Sequence, residues 1–204
     1  MIAFRYSKTG GAEFISHLDT LRHLNKTFER AGIKVKYSQG FHPHMLVYMS
    51  SPIAVGLQSY AEYCTVETDC PAEEFKQKFN EFSPKGIKCI EAYSVEKNPN
   101  FASIITRAKY FIEGLPTIDC KKVLEMETFT VQDKKGEEKD VREKIYSFSE
   151  RDGGYEVILA GGNNALRPDA FVKTLMSIYG EAEVEITKEE SFIGEGEEIS
   201  SILK

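Results

Sequence analysis

The stretch Ile2-Ala3-Phe4-Arg5-Tyr6-Ser7-Lys8, followed by Thr9-Gly10-Gly11, decides the fold class. Ile2, Phe4 and Tyr6 alternate with Ala3, Arg5 and Ser7, the period of a half-buried strand, and the glycines break it. A helix is expected next. Ser16 is a good N-cap with Asp19 three residues on, and Leu18, Leu21, Leu24, Phe28 and Ala31 recur at helical spacing until Gly32. Ile33, Val35 and Tyr37 resume alternation against Lys34 and Lys36. Gly40-Phe41-His42-Pro43-His44 interrupts, and residues 45–49 are apolar again, so two strands with a loop between them are expected. Residues 62–67 alternate, Pro71 starts a helix with Phe75, Phe79 and Phe82 inward, and residues 87–95 make a closing strand. The order β-α-β-β-α-β over residues 1–97 predicts a ferredoxin-like unit.

After Asn98-Pro99-Asn100 the order returns more loosely over residues 104–190. Strands are expected near 110–112, 144–149, 155–160 and 183–187, with helices near 120–126 and 168–179. The expected fold class is therefore α+β: two tandem ferredoxin-like (βαββαβ) units, the second degenerate. Residues 133–140 read as a hairpin tip or mobile loop of mixed charge, and residues 191–204 as an acidic, frayed tail.

A hydrophobic content of 41% suits a chain that buries a real core. No run of eighteen apolar residues exists, and the first residues read as a strand rather than a charged leader, so a cytoplasmic protein with no membrane association is expected. Cys64, Cys70, Cys89 and Cys120 are scattered without metal-ligand or cluster spacing and read as small thiols in a reducing compartment. The net charge of −6 is unevenly spread. Residues 1–50 hold seven Lys or Arg against three Asp or Glu, whereas the remainder holds 19 against 29. A basic head of this kind attracts polyanions even on an acidic chain, because screening confines fields to about 10 Å.

All four histidines, His17, His23, His42 and His44, fall within twenty-eight positions. His17, His42 and His44 are the candidate metal ligands, yet no H-E-x-x-H or similar framework supports them, and no metal or other cofactor is expected. A ribonuclease-like or metal-dependent hydrolase would use one of these histidines as base and another as acid, with Arg5, Lys8 or Lys36 on the developing charge. Two nearby histidines without a second fixed element do not align an attacking and a leaving oxygen, so no catalytic residue is assigned. Binding asks less of the same residues. Arg5, Lys34 and Lys36 can meet phosphates while Tyr6, Tyr37, Phe41 or Tyr48 stack on bases, with Phe4 and Phe14 assigned to the core. Ser16 and Asp19 have a sufficient role as a cap, and Arg22 or Lys26 can neutralise Asp19, leaving His17 free to point toward the loop at 40–44.

The motifs Phe14-Ile15-Ser16-His17-Leu18-Asp19, Arg30-Ala31-Gly32-Ile33, Tyr37-Ser38-Gln39-Gly40-Phe41-His42-Pro43-His44, Ser51-Pro52, Val55-Gly56 and Ala61-Glu62-Tyr63 together resemble the bacterial radical-SAM-linked protein family. The resemblance covers the first hundred residues strongly, with a weaker echo at Asn164-Ala165-Leu166-Arg167-Pro168-Asp169. It implies an accessory role beside a radical S-adenosylmethionine enzyme that handles an RNA or ribosome-related substrate. Met45 and Leu46 stand where the family continues with proline and a basic residue, so one phosphate contact is missing. The chain lacks the three-cysteine cluster motif, and radical chemistry would belong to a separate protein. The expectation is a non-enzymatic accessory protein that binds RNA or the radical SAM protein itself. Its binding residues are His17, Asp19, Arg22, Lys36, Tyr37, Gly40, Phe41, His42, Pro43, His44 and Arg167.

Overall fold

Strand β1, Ile2–Lys8, is buried along almost its whole length, so it is a central strand covered on both faces rather than the half-buried strand its alternation suggests. The computed structural model describes residues 1–132 and 136–203. The chain is α+β and divides into two compact units, residues 1–104 with the segment from Glu197 onward, and residues 105–196.

In the first unit β1 is followed by α1 (His17–Arg30), β2 (Val47–Met49), β3 (Gln58–Val66), α2 (Ala72–Phe82), β4 (Cys89–Ser94) and a short α3 (Phe101–Ile104). The strands lie in the order β4-β1-β3-β2. Every neighbouring pair is antiparallel, with Phe4 opposite Cys64 on β3 and Ala92 on β4. The core grows from that point. Phe4 lies 5.1 Å from the Phe75 ring, 5.5 Å from Phe79 and 6.3 Å from Phe28, so one strand residue gathers the inward faces of both long helices. On the other face of β3, Tyr63 packs against Phe101 of α3 at 5.2 Å. The turn at Asn98-Pro99-Asn100 thus does not end the unit at residue 97, because α3 belongs to it.

Several side chains expected inside lie outside. α1 buries Thr20, Leu24, Thr27 and Phe28, a stripe that leaves Leu18 63% exposed. Phe14 is 68% exposed and Phe82 is also exposed, although both were assigned inward. The strand expected over residues 33–37 is reduced to isolated bridges, Val35 with Thr68 and Tyr37 with Met45.

The second unit contains β5 (Ile105–Glu113), α4 (Cys120–Glu125), β6 (Thr130–Gln132), β7 (Glu138–Asp140), β8 (Ile145–Arg151), β9 (Gly154–Ala160), α5 (Pro168–Tyr179) and β10 (Glu185–Ile193). Its main strands follow the order β10-β5-β9-β8, again antiparallel throughout. The mixed-charge stretch forms the returning half of the β6-β7 hairpin, of which Asp133, Lys134 and Lys135 lie outside the described residues. Phe171 of α5 stacks on Phe129 at 5.2 Å and meets Phe148 edge-on at 5.4 Å, which seats the helix on the sheet. The frayed tail expected from residue 191 is a correction. β10 continues to Ile193, and beyond it Ile199 and Leu203 are buried, because these apolar side chains recover burial that a solvated tail would forgo.

No helix among the described residues is long and apolar enough to cross a membrane. The four thiols are free. Burial holds the Cys89 thiol up to about 12 and raises that of Cys64 further, so both are inert side chains of the core.

Candidate functional site

The start of α1 is built as its sequence requires. Ser16 Oγ accepts from the Asp19 backbone N–H at 3.1 Å and donates to Asp19 Oδ2 at 2.7 Å. Arg22 Nη1 donates to Asp19 Oδ1 at 2.7 Å, so the arginine neutralises the carboxylate that would otherwise repel an anion. The Ser16 hydroxyl first, and Arg22 second, hold the Asp19 carboxyl below its usual range. Because the folded value is depressed, this contribution is complete above the ordinary carboxylate range and is lost as pH falls through the folded value. Ser16→Ala is expected to cost about 1 kcal/mol in urea denaturation, the usual value of a lost helix cap.

Beneath this helix start lies a group of buried polar side chains. Lys8 is 4% exposed, and its Nζ donates to the Ile15 carbonyl at 2.8 Å, just before the cap. Burial lowers its pKa, opposed by the charges of Glu62 and Glu13, which are themselves buried. Ser59 donates to Glu62 Oε1 at 2.8 Å. Lys8 therefore pins the turn entering α1 and is no phosphate contact. Its position at the end of an alternating strand beside two glycines carried no signal of this. Tyr6, considered for stacking, is buried in the core, and Arg5 Nε is committed to the Tyr60 carbonyl at 2.6 Å.

The loop at 38–44 is different in kind. Residues 35–38 and 44–47 form a stem: Lys36 N–H donates to the Glu67 carbonyl at 2.8 Å and Leu46 N–H to the Lys36 carbonyl at 2.9 Å. Ser38 closes the tip. Its N–H donates to the His44 carbonyl at 2.9 Å, its Oγ accepts from the His44 N–H at 3.1 Å, and the same hydroxyl lies 2.8 Å from His44 Nδ1. Five residues, Gln39-Gly40-Phe41-His42-Pro43, project beyond that clasp. Gly40 has φ +129°, a conformation other residues rarely adopt, and Pro43 stiffens the return. Phe41 is fully exposed at 101%, Tyr37 is half exposed, and His42, Pro43 and His44 are exposed. Lys34 and Lys36 flank the stem on the solvent side. Lys36 meets Asp69 at 3.4 Å, an exposed pair that contributes little and yields readily to a stronger anion.

The structure thus brings Lys36, Tyr37, Gly40, Phe41, His42, Pro43 and His44 into one projecting loop, and Asp19 with Arg22 onto the first turns of α1. It does not join the two groups through His17. Among the described residues no hydrogen bond or ion pair links His17 to the loop, and no three His, Cys, Asp or Glu side chains gather where they could hold a metal. Arg167 lies in the second unit as the N-cap of α5, paired with Asp169 through Nε at 3.0 Å and through Nη2.

No curated protein matches the chain. The model of a bacterial family described as "Uncharacterized protein conserved in bacteria (DUF2344)" matches residues 2–179, which takes in the helix start, the projecting loop and the second unit through α5, and to that family the chain belongs.

Proposed function

We propose that this chain is a non-enzymatic recognition protein that holds a single-stranded RNA substrate on the loop at 38–44, as the accessory partner of a separate radical SAM enzyme. The observation that carries the reading is Phe41, a large apolar ring fully exposed at the tip of a loop clasped by Ser38 and His44. A solvent-facing ring offers a stacking platform, and each stacked base contributes about 1–3 kcal/mol. The exposed Lys34 and Lys36 on the stem of the same loop offer charges to a phosphate backbone, and the half-exposed Tyr37 offers a second ring. The partner follows from the resemblance of Ser16-His17-Leu18-Asp19 and Gly40-Phe41-His42-Pro43-His44 to the radical-SAM-linked proteins. The hydrolase alternative finds less support, since the His44 imidazole is turned onto Ser38 and no metal-holding group forms among the described residues.

The same reading takes each unit as a ferredoxin-like βαββαβ module. Its support is that numbering the main strands of each unit 1 to 4 in chain order gives the same spatial order, 4-1-3-2, with the β6-β7 hairpin inserted in the second.

Fluorescence anisotropy with a labelled single-stranded RNA across a salt series tests the function. Phe41→Ala is expected to weaken binding about 5- to 150-fold with the salt slope unchanged. Lys36→Ala should lower that slope by about one with a smaller loss of affinity. RNA binding that is absent, or equal in Phe41→Ala and the parent protein, would remove the proposal. Salt-insensitive association of both with the radical SAM protein would then move recognition to protein docking.

A further inference from the structure

The second unit contains a cleft of about 420 Å³ between the β6-β7 hairpin and the start of α5, and it is strongly cationic. Lys139, Lys144, Arg167 and Lys173 line it against a single carboxylate, Asp169. Asp169 is already engaged with Arg167 through Nε and Nη2, which fixes the guanidinium plane and leaves Nη1 as a donor. Lys144 and Lys173 have no carboxylate partner among the described residues, although Lys144 is half-buried. Like charges gathered at the wall of a cleft repel one another, and the arrangement persists at least cost when an anion sits between them. The cleft also has an apolar floor, made by the buried Val131, Val141 and Leu166. Cations around an apolar floor, in a space within the usual range for small-molecule sites, suit an amphipathic anion rather than a bare ion.

We propose that this cleft binds an organic phosphate of roughly mononucleotide size, its phosphate held by Lys144, Lys173 and Arg167 and its flat body lying on Val131, Val141 and Leu166. A phosphate is favoured over a carboxylate by charge and by geometry. Two negative charges spread over three oxygens match several separate donors, whereas one carboxylate leaves one of Lys144 and Lys173 uncompensated. The site is independent of the loop at 38–44, so the two readings stand or fall separately.

Isothermal titration calorimetry of the full chain with adenosine 5′-monophosphate, phenyl phosphate and inorganic phosphate tests the proposal. The two organic phosphates should bind saturably and at least about tenfold more tightly than inorganic phosphate, because only they cover the apolar floor. The double variant Lys144→Gln/Lys173→Gln should lose about tenfold or more in affinity at unchanged melting temperature. Lys173→Gln alone, at an exposed position of α5, should lose part of it, which keeps the test clear of folding defects. The proposal is overturned if neither organic phosphate saturates, if inorganic phosphate binds as tightly as they do, or if the lysine variants bind unchanged.

Discussion

Phe4→Ala is expected to destabilise the first unit by about 3–5 kcal/mol, the range for a large buried aromatic truncated in a core. The side chain is fully buried, and its ring lies within 5.1–6.3 Å of Tyr6, Phe28, Phe75 and Phe79. Removing it takes the shared contact from both long helices at once, and the remaining four rings cannot all collapse into the gap without leaving their rotamers. Chemical denaturation with hydrogen exchange as the residue-level readout checks this, with protection falling across residues 2–94. Phe14→Ala and Phe41→Ala, at exposed positions, should stay within about 0.5 kcal/mol of the parent protein. A Phe4→Ala protein as stable as those two would mean that the helices are held to the sheet by something other than this aromatic cluster.

Gly86→Ala should cost about 3 kcal/mol or more, combining a left-handed backbone strain with overpacking. Gly86 has φ +87°, and a Cβ there would stand 1.8 Å from the Thr9 carbonyl oxygen. No side chain can rotate to relieve this, because the obstacle is backbone. The same residue accepts from the Thr9 N–H at 3.0 Å and from Ser7 Oγ at 3.2 Å, so the turn before β4 is pressed against the turn that leads to Ser16. The substitution therefore reaches the helix start and the Lys8 contact to Ile15. Gly40→Ala provides the contrast, since nothing lies within 4 Å of that position and only the strain of its positive φ, about 1 kcal/mol, is felt locally. Thermal denaturation of the two variants, with chemical shifts of residues 7–20 as the local probe, separates the cases. Equal effects at both positions would show that the close approach of Gly86 to Thr9 is relaxed in solution.

What was legible in the sequence was local. The Ser16 cap, the end of α1 near Gly32, the α5 helix at Pro168–Tyr179 and the strands β8 and β9 followed from capping residues and periodicity within a few neighbours. The readings that missed concern faces. Phe14 and Leu18 are apolar at the spacing of an inward face, yet the stripe that α1 buries passes through Thr20, Leu24, Thr27 and Phe28, with threonines taking two of its four positions. Lys8 is a candidate for the developing charge of a hydrolase by residue type alone, yet it is buried, and the approach of Glu13 and Glu62 makes that burial tolerable. The tail was read as frayed from its glutamates, while the buried Ile199 and Leu203 follow from where the chain returns.

For the candidate site the division is similar. The unusual density of histidine, proline and aromatic residues at 37–44 marks the loop in the sequence alone. Its projection depends on Ser38 closing onto His44 and on Leu46 and Lys36 both reaching Glu67, bonds between residues six to thirty-one positions apart. The cationic cleft was invisible because Lys139, Lys144, Arg167 and Lys173 lie on separate elements of the chain. By itself the sequence determined the elements and the residue types at the loop, since capping, strand alternation and turn chemistry act between near neighbours. Only the tertiary structure decided which aromatics are core and which cations face one another, since burial and field depend on neighbours that the chain brings together from far along its length.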